Sequence, residues 1–283
     1  MKVVFRLMPL ILCLSACSAP AVRPPSANLV PSGAHYVAMG SSFAAGPGIT
    51  EGVVGSPARC ARSVDNYAHQ LANRRGLQLT DVSCSGAKAS HVLGDWDELP
   101  PQLDALRADT RLVTVTIGGN DLGYISGLMA ASCLGLPEAK EGLACRHVLE
   151  PDEVAYATLA SRLQKIAAEV RRRSPQARLV WVDYATVLPS SGRCAAMPLS
   201  DEDAAVSRGI DQKLRRLTAS VALENGAGLL RAGEVTRDHH VCATDPWMNG
   251  YVKWDPQHPV AAYHPTQAGM TAVAEALDRL LEH

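Results

Sequence analysis

Short apolar runs alternate with longer amphipathic stretches from His35 onward. The run His35–Met39 predicts a first strand. Ser63, in a capping position, predicts a helix over Val64–Arg75. Leu77–Val82 predicts a second strand. Leu112–Ile117, built only of Leu, Val, Thr and Ile, is the clearest strand of all. Over Asp152–Arg172 the residues Leu159, Leu163, Ile166 and Val170 recur on one helical face. Leu179–Asp183 reads as another strand. Asp201–Glu224 repeats the helical spacing through Val206, Ile210, Leu214, Leu217 and Val221. Ala227–Leu230 is the last strand, and Thr266–Leu281 closes as a helix carrying Met270, Val273, Leu277 and Leu280. Strands alternating with helices predict a parallel sheet covered on both faces. Ligands of such sheets bind beyond the carboxyl ends of the strands.

The start of the chain has a different pattern. Lys2 and Arg6 flank an apolar run that extends through Leu14. This is the order of an export signal, and the run is too short to span a bilayer comfortably. It ends in Leu14-Ser15-Ala16-Cys17, which resembles the lipobox of bacterial lipoproteins. That resemblance implies cleavage before Cys17, lipid attachment to Cys17 and a membrane anchor. The following stretch is rich in Pro, Ser and Ala and reads as an extended tether. The expected organisation is a signal over residues 1–16, anchor and tether over 17–33, and one folded domain over 34–283.

Composition sharpens this picture in two respects. The chain of 283 residues has 27 Lys plus Arg against 28 Asp plus Glu, a net charge of −1 that gives no sign of a nucleic-acid partner. Beyond Cys13 and Cys17 there remain Cys60, Cys84, Cys133, Cys145, Cys194 and Cys242. An even set in an exported chain points to disulfides. Six cysteines leave many pairings open; the sequential one, Cys60–Cys84, Cys133–Cys145 and Cys194–Cys242, is the expectation. There is no Cys-x-x-Cys pair, and His239, His240 and Cys242 do not make a tetrahedral set, so no metal is expected.

Chemistry is concentrated in four short motifs. Gly40-Ser41-Ser42-Phe43-Ala44-Ala45-Gly46 follows the first strand, and Cys84-Ser85-Gly86-Ala87 the second. Gly118-Gly119-Asn120-Asp121 follows the third, and His264-Pro265-Thr266 precedes the last helix. A serine hydroxyl becomes a competent nucleophile when a base, usually His, takes its proton. The tetrahedral intermediate then needs donors aimed at its oxyanion. The N–H groups of Ser42 and Gly86 and the Asn120 amide are candidates. Taken singly, each motif has an ordinary structural explanation: Ser42 a helix cap, the glycines turn residues, Asn120 a left-handed turn position, His264 a loop histidine.

Their order resembles the SGNH subgroup of the GDSL esterase/lipase family, named for Ser, Gly, Asn and His in separate blocks. The resemblance spans about residues 34–283 and implies a flavodoxin-like three-layer α/β/α sandwich with a central parallel sheet. It also implies Ser42 as nucleophile, Gly86 and Asn120 as oxyanion donors, His264 as base, and no cofactor. The cysteine placement and Asp245-Pro246-Trp247-Met248-Asn249-Gly250 are similar to secreted actinobacterial-type lipases of this family. A Gly-x-Ser-x-Gly elbow is absent, which argues against the ordinary α/β-hydrolase fold.

Two positions depart from the family pattern. Ser41 stands where Asp is more usual. The family commonly places an Asp three residues before the histidine, and here that position is Ala261. The preferred reading is a Ser–His dyad in which a carbonyl near Ala261–Ala262 holds the imidazole. A second register, Asp255-Pro256-Gln257-His258-Pro259, has the Asp-x-x-His-Pro spacing and would make Asp255 the acid and His258 the base. His264 is preferred because it leads directly into the final helix.

The expected protein is a monomeric serine esterase or lipase acting on a small ester or lipid. A carbohydrate O-acetylesterase of envelope or environmental polysaccharide is the alternative enzyme. The missing Asp at 261 keeps open a reading of another class, a non-catalytic envelope-binding lipoprotein. The partly apolar segment 122–150 is expected to wall the substrate groove.

Overall fold

The computed structural model describes residues 1–2, 30–136, 145–252 and 260–282. The signal-like run, Cys17, most of the tether, Asp255 and His258 therefore lie outside the described residues.

Five strands, β1 (His35–Gly40), β2 (Gln78–Asp81), β3 (Thr110–Thr116), β4 (Arg178–Val182) and β5 (Gly228–Leu230), form one sheet in the order β2-β1-β3-β4-β5. Every pairing is parallel. The described helices are α1 (Ser42–Ala45), α2 (Tyr67–Arg75), α3 (Ala89–Leu93), α4 (Tyr124–Leu134), α5 (Glu153–Arg173), α6 (Asp201–Glu224), α7 (Ala232–Val235) and α8 (Gln267–Leu280). This is a flavodoxin-like α/β/α arrangement. The chain leaves β1 for β2 on one side and crosses to β3 on the other, so a crevice opens at the carboxyl ends of β1 and β3.

Side-chain alternation along the strands divides the core between the two faces. Tyr36, Ala38, Leu112, Val180 and Val182 pack with Tyr67 and Leu71 of α2 and with Met270, Val273 and Leu277 of α8. Val37, Met39, Val113, Val115 and Trp181 face the other way, toward α3, α4, α5 and α6. Both faces are buried, which is why these strands read as continuous apolar runs rather than alternating ones. The periodic residues of α5, Leu159, Leu163 and Ile166, are fully buried. Each such side chain stabilises the fold by about 1.5–3 kcal/mol. Caps set the helix starts: Asp152 accepts from Ala155 N–H at 2.8 Å, Ser200 from Asp203 N–H at 3.0 Å, and Thr266 from Gly269 N–H at 3.4 Å.

Local departures from the sequence reading have physical causes. Ser63 does not cap α2. Its hydroxyl pairs with Thr50 Oγ1 and takes the Asp65 N–H, and Asn66 caps the helix by accepting from Ala68 and His69 N–H. Helix α4 was not predicted because it is apolar on most sides. Tyr124, Ile125, Leu128 and Ala131 are buried in the core, whereas Met129 and Leu134 are exposed. One face of the segment expected to wall a groove is thus core, and residues 137–144 lie outside the description.

Disulfides join Cys60 to Cys84, Cys133 to Cys145 and Cys194 to Cys242. Among the described residues no helix is long and apolar enough to cross a membrane.

Candidate active site

The first motif sits where β1 ends. Gln102 clamps Gly40 on both sides: its Oε1 accepts the Gly40 N–H at 2.7 Å, and its Nε2 donates to the Gly40 carbonyl at 3.0 Å. Ser41 N–H then donates to the Thr116 carbonyl at the end of β3. This places Ser42 as the first residue of α1, buried to 8% exposure with its hydroxyl toward the crevice that holds His264. The N–H of a first helical residue has no acceptor within its own helix.

Ser41, at the position where Asp is more usual, is fully buried, and its hydroxyl lies 3.1 Å from the Tyr184 hydroxyl. The same Tyr184 oxygen accepts the Gly119 N–H at 2.9 Å. One buried phenol therefore ties the first motif to the third. Burial pushes its pKa up to about 12, so it stays neutral. Gly119 is required for this approach, because a Cβ there would lie 2.6 Å from the Tyr184 oxygen.

The second and third motifs are tied together in the same way. Asn120 Nδ2 donates to the Ala87 carbonyl at 2.9 Å. Asp121 accepts the Ala89 N–H at 2.8 Å through one carboxylate oxygen and Arg162 at 3.0 Å through the other. These bonds set Asn120 beside the turn containing Gly86. Gly86 adopts φ +84°, and an added Cβ would press on the Trp96 ring at 3.3 Å. The Cys60–Cys84 disulfide anchors the start of that turn, and Ser85 N–H donates to the Cys60 carbonyl.

The fourth motif brings His264 to Ser42 across 222 residues of sequence. His264 Nε2 lies 2.7 Å from Ser42 Oγ, and Nδ1 lies 2.7 Å from the Ala262 carbonyl oxygen. A carbonyl only accepts, so Nδ1 carries the proton and Nε2 presents its lone pair to the serine hydroxyl. Burial lowers the imidazole pKa from the usual 6.5 to about 4, and the bond to Ala262 opposes that shift only in part. The Phe43 ring packs 5.1 Å from the imidazole, centroid to centroid.

Several contributors carried no sequence signal. Gln102 and Tyr184 act through contacts to loops distant in sequence, and nothing in their own neighbourhoods marks them. Asp121 lay within a noted motif, but its tie to Ala89 needed the fold. A cavity of about 350 Å³ lies beside the site, walled by Cys60, Cys84, Trp96, Leu99, Pro101 and Gln102 among others. Neither Ser42 nor His264 lines it. Among the described residues no cluster of His, Cys, Asp and Glu is arranged to hold a metal ion.

Known proteins resemble this chain in sequence and fold. Residues 38–272 match the GDSL-like lipase/acylhydrolase family. Lipase 2 of Streptomyces coelicolor is 31% identical over 92% of this chain and 88% of its own length. The crystal structure of phospholipase A1 from Streptomyces albidoflavus superposes with a TM-score of 0.70 at 26% identity, covering 88% of this chain and 99% of that one. The extracellular lipase of Streptomyces rimosus gives 0.69 at 25% identity, covering 87% and 99%. The chain thus belongs to the GDSL-like lipase/acylhydrolase family and is a carboxylic ester hydrolase.

Proposed function

We propose that Ser42 is the nucleophile and His264 the general base of a two-step ester hydrolysis. The observation that carries this is the contact of His264 Nε2 with Ser42 Oγ, in the tautomer imposed by Ala262. His264 Nε2 takes the hydroxyl proton as Ser42 Oγ bonds to the ester carbonyl carbon. The carbonyl electron pair moves to oxygen, which accepts from Ser42 N–H, Gly86 N–H and Asn120. Asn120 Nδ2 has two hydrogens, and the bond to Ala87 uses one, leaving the other for the oxyanion. The intermediate collapses, the carbon–oxygen bond to the alcohol breaks, and the imidazolium returns its proton to the leaving oxygen. Water then attacks the acyl-Ser42, giving its proton to Nε2, and the acid departs as Ser42 regains its proton.

Lipid esters are the proposed substrates, supported by relatives named lipase and phospholipase A1. Wild-type protein should label with a fluorophosphonate and hydrolyse chromogenic esters, with the chain-length series favouring longer acyl groups. Turnover of acetyl esters alone would instead support the carbohydrate O-acetylesterase reading. Ser42→Ala and His264→Ala should each cut kcat by about a millionfold. An active His264→Ala with an inactive His258→Ala would transfer the role of base to His258.

We further propose that the chain is exported, held to a membrane through lipidated Cys17, and acts as a monomer. Three disulfides suit an oxidising compartment, and one similar structure is named extracellular. Cys17→Ser should release the protein from the membrane fraction, and retention there would refute the anchor. Size-exclusion chromatography with light scattering checks the monomer.

A further inference from the structure

The stretch Asp245–Gly250 has no part in the chemistry described above, yet it cradles the turn that carries His264. Met248 forms an antiparallel bridge with Pro265, and the Trp247 carbonyl accepts the Thr266 N–H at 2.9 Å. Asn249, beside them, bonds to the turn through main chain and side chain together. Its N–H donates to the His264 carbonyl at 2.9 Å, and its carbonyl accepts the Tyr263 N–H at 3.1 Å. Its side-chain Nδ2 donates to the Ala261 carbonyl at 3.2 Å. These bonds bracket Ala262, whose own carbonyl is left for the imidazole.

The turn is not one a tyrosine adopts readily. Tyr263 has φ +59°, in the left-handed region. A non-glycine residue stays there only when its surroundings impose it. The fully buried Tyr263 is held at its far end by its hydroxyl, 2.5 Å from Ser132 Oγ on α4. The turn reverses the chain so that His264 Nδ1 meets a carbonyl only two residues earlier.

We propose that Asn249 is the positioning residue of the His264 base: it fixes the turn 261–264 so that the Ala262 carbonyl oxygen meets His264 Nδ1. This rests on the reading of His264 as the base. The hydrogen bonds of Asn249 go to the turn and not to Ser42 or the imidazole, so it acts through the main chain. Its two main-chain bonds survive substitution, and one of them holds the 262–263 peptide that carries the Ala262 carbonyl; the side chain supplies the bond that stops the preceding 261–262 peptide from rotating. Without that bond Ala262 is anchored on its carboxyl side alone, its carbonyl is held less firmly against Nδ1, and the ring keeps Nε2 on Ser42 for less of the time.

The test compares Asn249→Ala and the near-isosteric Asn249→Asp with wild type. Steady-state kinetics on a chromogenic ester are read beside the downfield Nδ1–H proton resonance of His264 in histidine-labelled protein. Both variants should lose kcat by about ten- to a hundredfold. KM should stay within about twofold, because substrate binding is not addressed. The Nδ1–H resonance should shift or broaden in both. A folded variant with wild-type kcat and an unchanged resonance would overturn the proposal. So would a loss of kcat that merely tracks the folded fraction while the resonance holds. If Asn249→Ala fails to fold, Asn249→Asp carries the same readouts. An active His264→Ala would sink the base assignment itself, whereas an inactive His264→Ala beside wild-type-like Asn249 variants would sink only this inference.

Discussion

His264 Nδ1 donates to the carbonyl oxygen of Ala262, 2.7 Å away, so the imidazole is oriented by a neutral main-chain dipole. A carboxylate in that place would stabilise the imidazolium far more strongly. Burial dominates instead and lowers the imidazole pKa to about 4.

The pH profile follows from this shift. In the proposed role as base His264 works only when neutral, and a lowered pKa keeps it neutral to lower pH. The acid limb of kcat/KM, which reports the free enzyme, should therefore have its midpoint near pH 4. An acid limb at the ordinary histidine value of about 6.5 would show that His264 is not desolvated in the working enzyme.

Tyr184 links the loop bearing Ser42 to the loop bearing Asn120, through Ser41 on one side and the Gly119 N–H on the other. Tyr184→Phe keeps the ring packing and deletes only the oxygen. It leaves the buried Gly119 N–H without its acceptor, at a cost of about 1–3 kcal/mol. The thermal midpoint should fall accordingly. The reaction should slow by about tenfold or more as Asn120 loses its register. Calorimetry and ester kinetics on the same preparation check both, and an unchanged kcat would remove Tyr184 from the support of the site.

Asp183, at the end of β4, shows the opposite effect of burial. It is 4% exposed and accepts the Gly233 N–H at 2.9 Å. Desolvation raises its pKa from 3.8 to about 6, against the lowering effect of that bond and of Arg215. A raised folded pKa means that ionisation is disfavoured in the fold, so this group costs stability above pH 6 and not below its unfolded value. Asp183→Asn keeps the acceptor for Gly233 and removes the charge. It should stabilise the protein at pH 8 by up to about 3 kcal/mol. The gain should shrink toward zero as the pH falls through 6 toward 4. Thermal melts at several pH values test this, and destabilisation at pH 8 would show that the charge is needed by Arg215.

The strands and long helices were legible because both faces of the sheet are buried. In a run such as Leu112–Ile117 the polar positions are the buried β-branched Thr114 and Thr116, which leave the strand pattern clear, and α5 and α6 bury one periodic stripe each. Asn66 was missed as the cap of α2 because Ser63 had the right chemistry a few residues early, and hydrogen-bond geometry chose between them. Helix α4 was missed because its exposed face also carries apolar residues, Met129 and Leu134, so the contrast that marks a helical period is lost.

Residue type and order by themselves determined the alternation of strands and helices, the family, and the residues Ser42, Gly86, Asn120 and His264 as the candidates for chemistry. Only the tertiary structure decided what surrounds them. It placed Gln102 on Gly40, Tyr184 between Ser41 and Gly119, and Asn249 against the turn that presents Ala262. The physical reason is the nature of the contacts. A motif records side chains that must be of one type, whereas a main-chain carbonyl such as that of Ala262 is present at every position. Which carbonyl reaches the base is a matter of backbone path, set here by a left-handed Tyr263 and its packing.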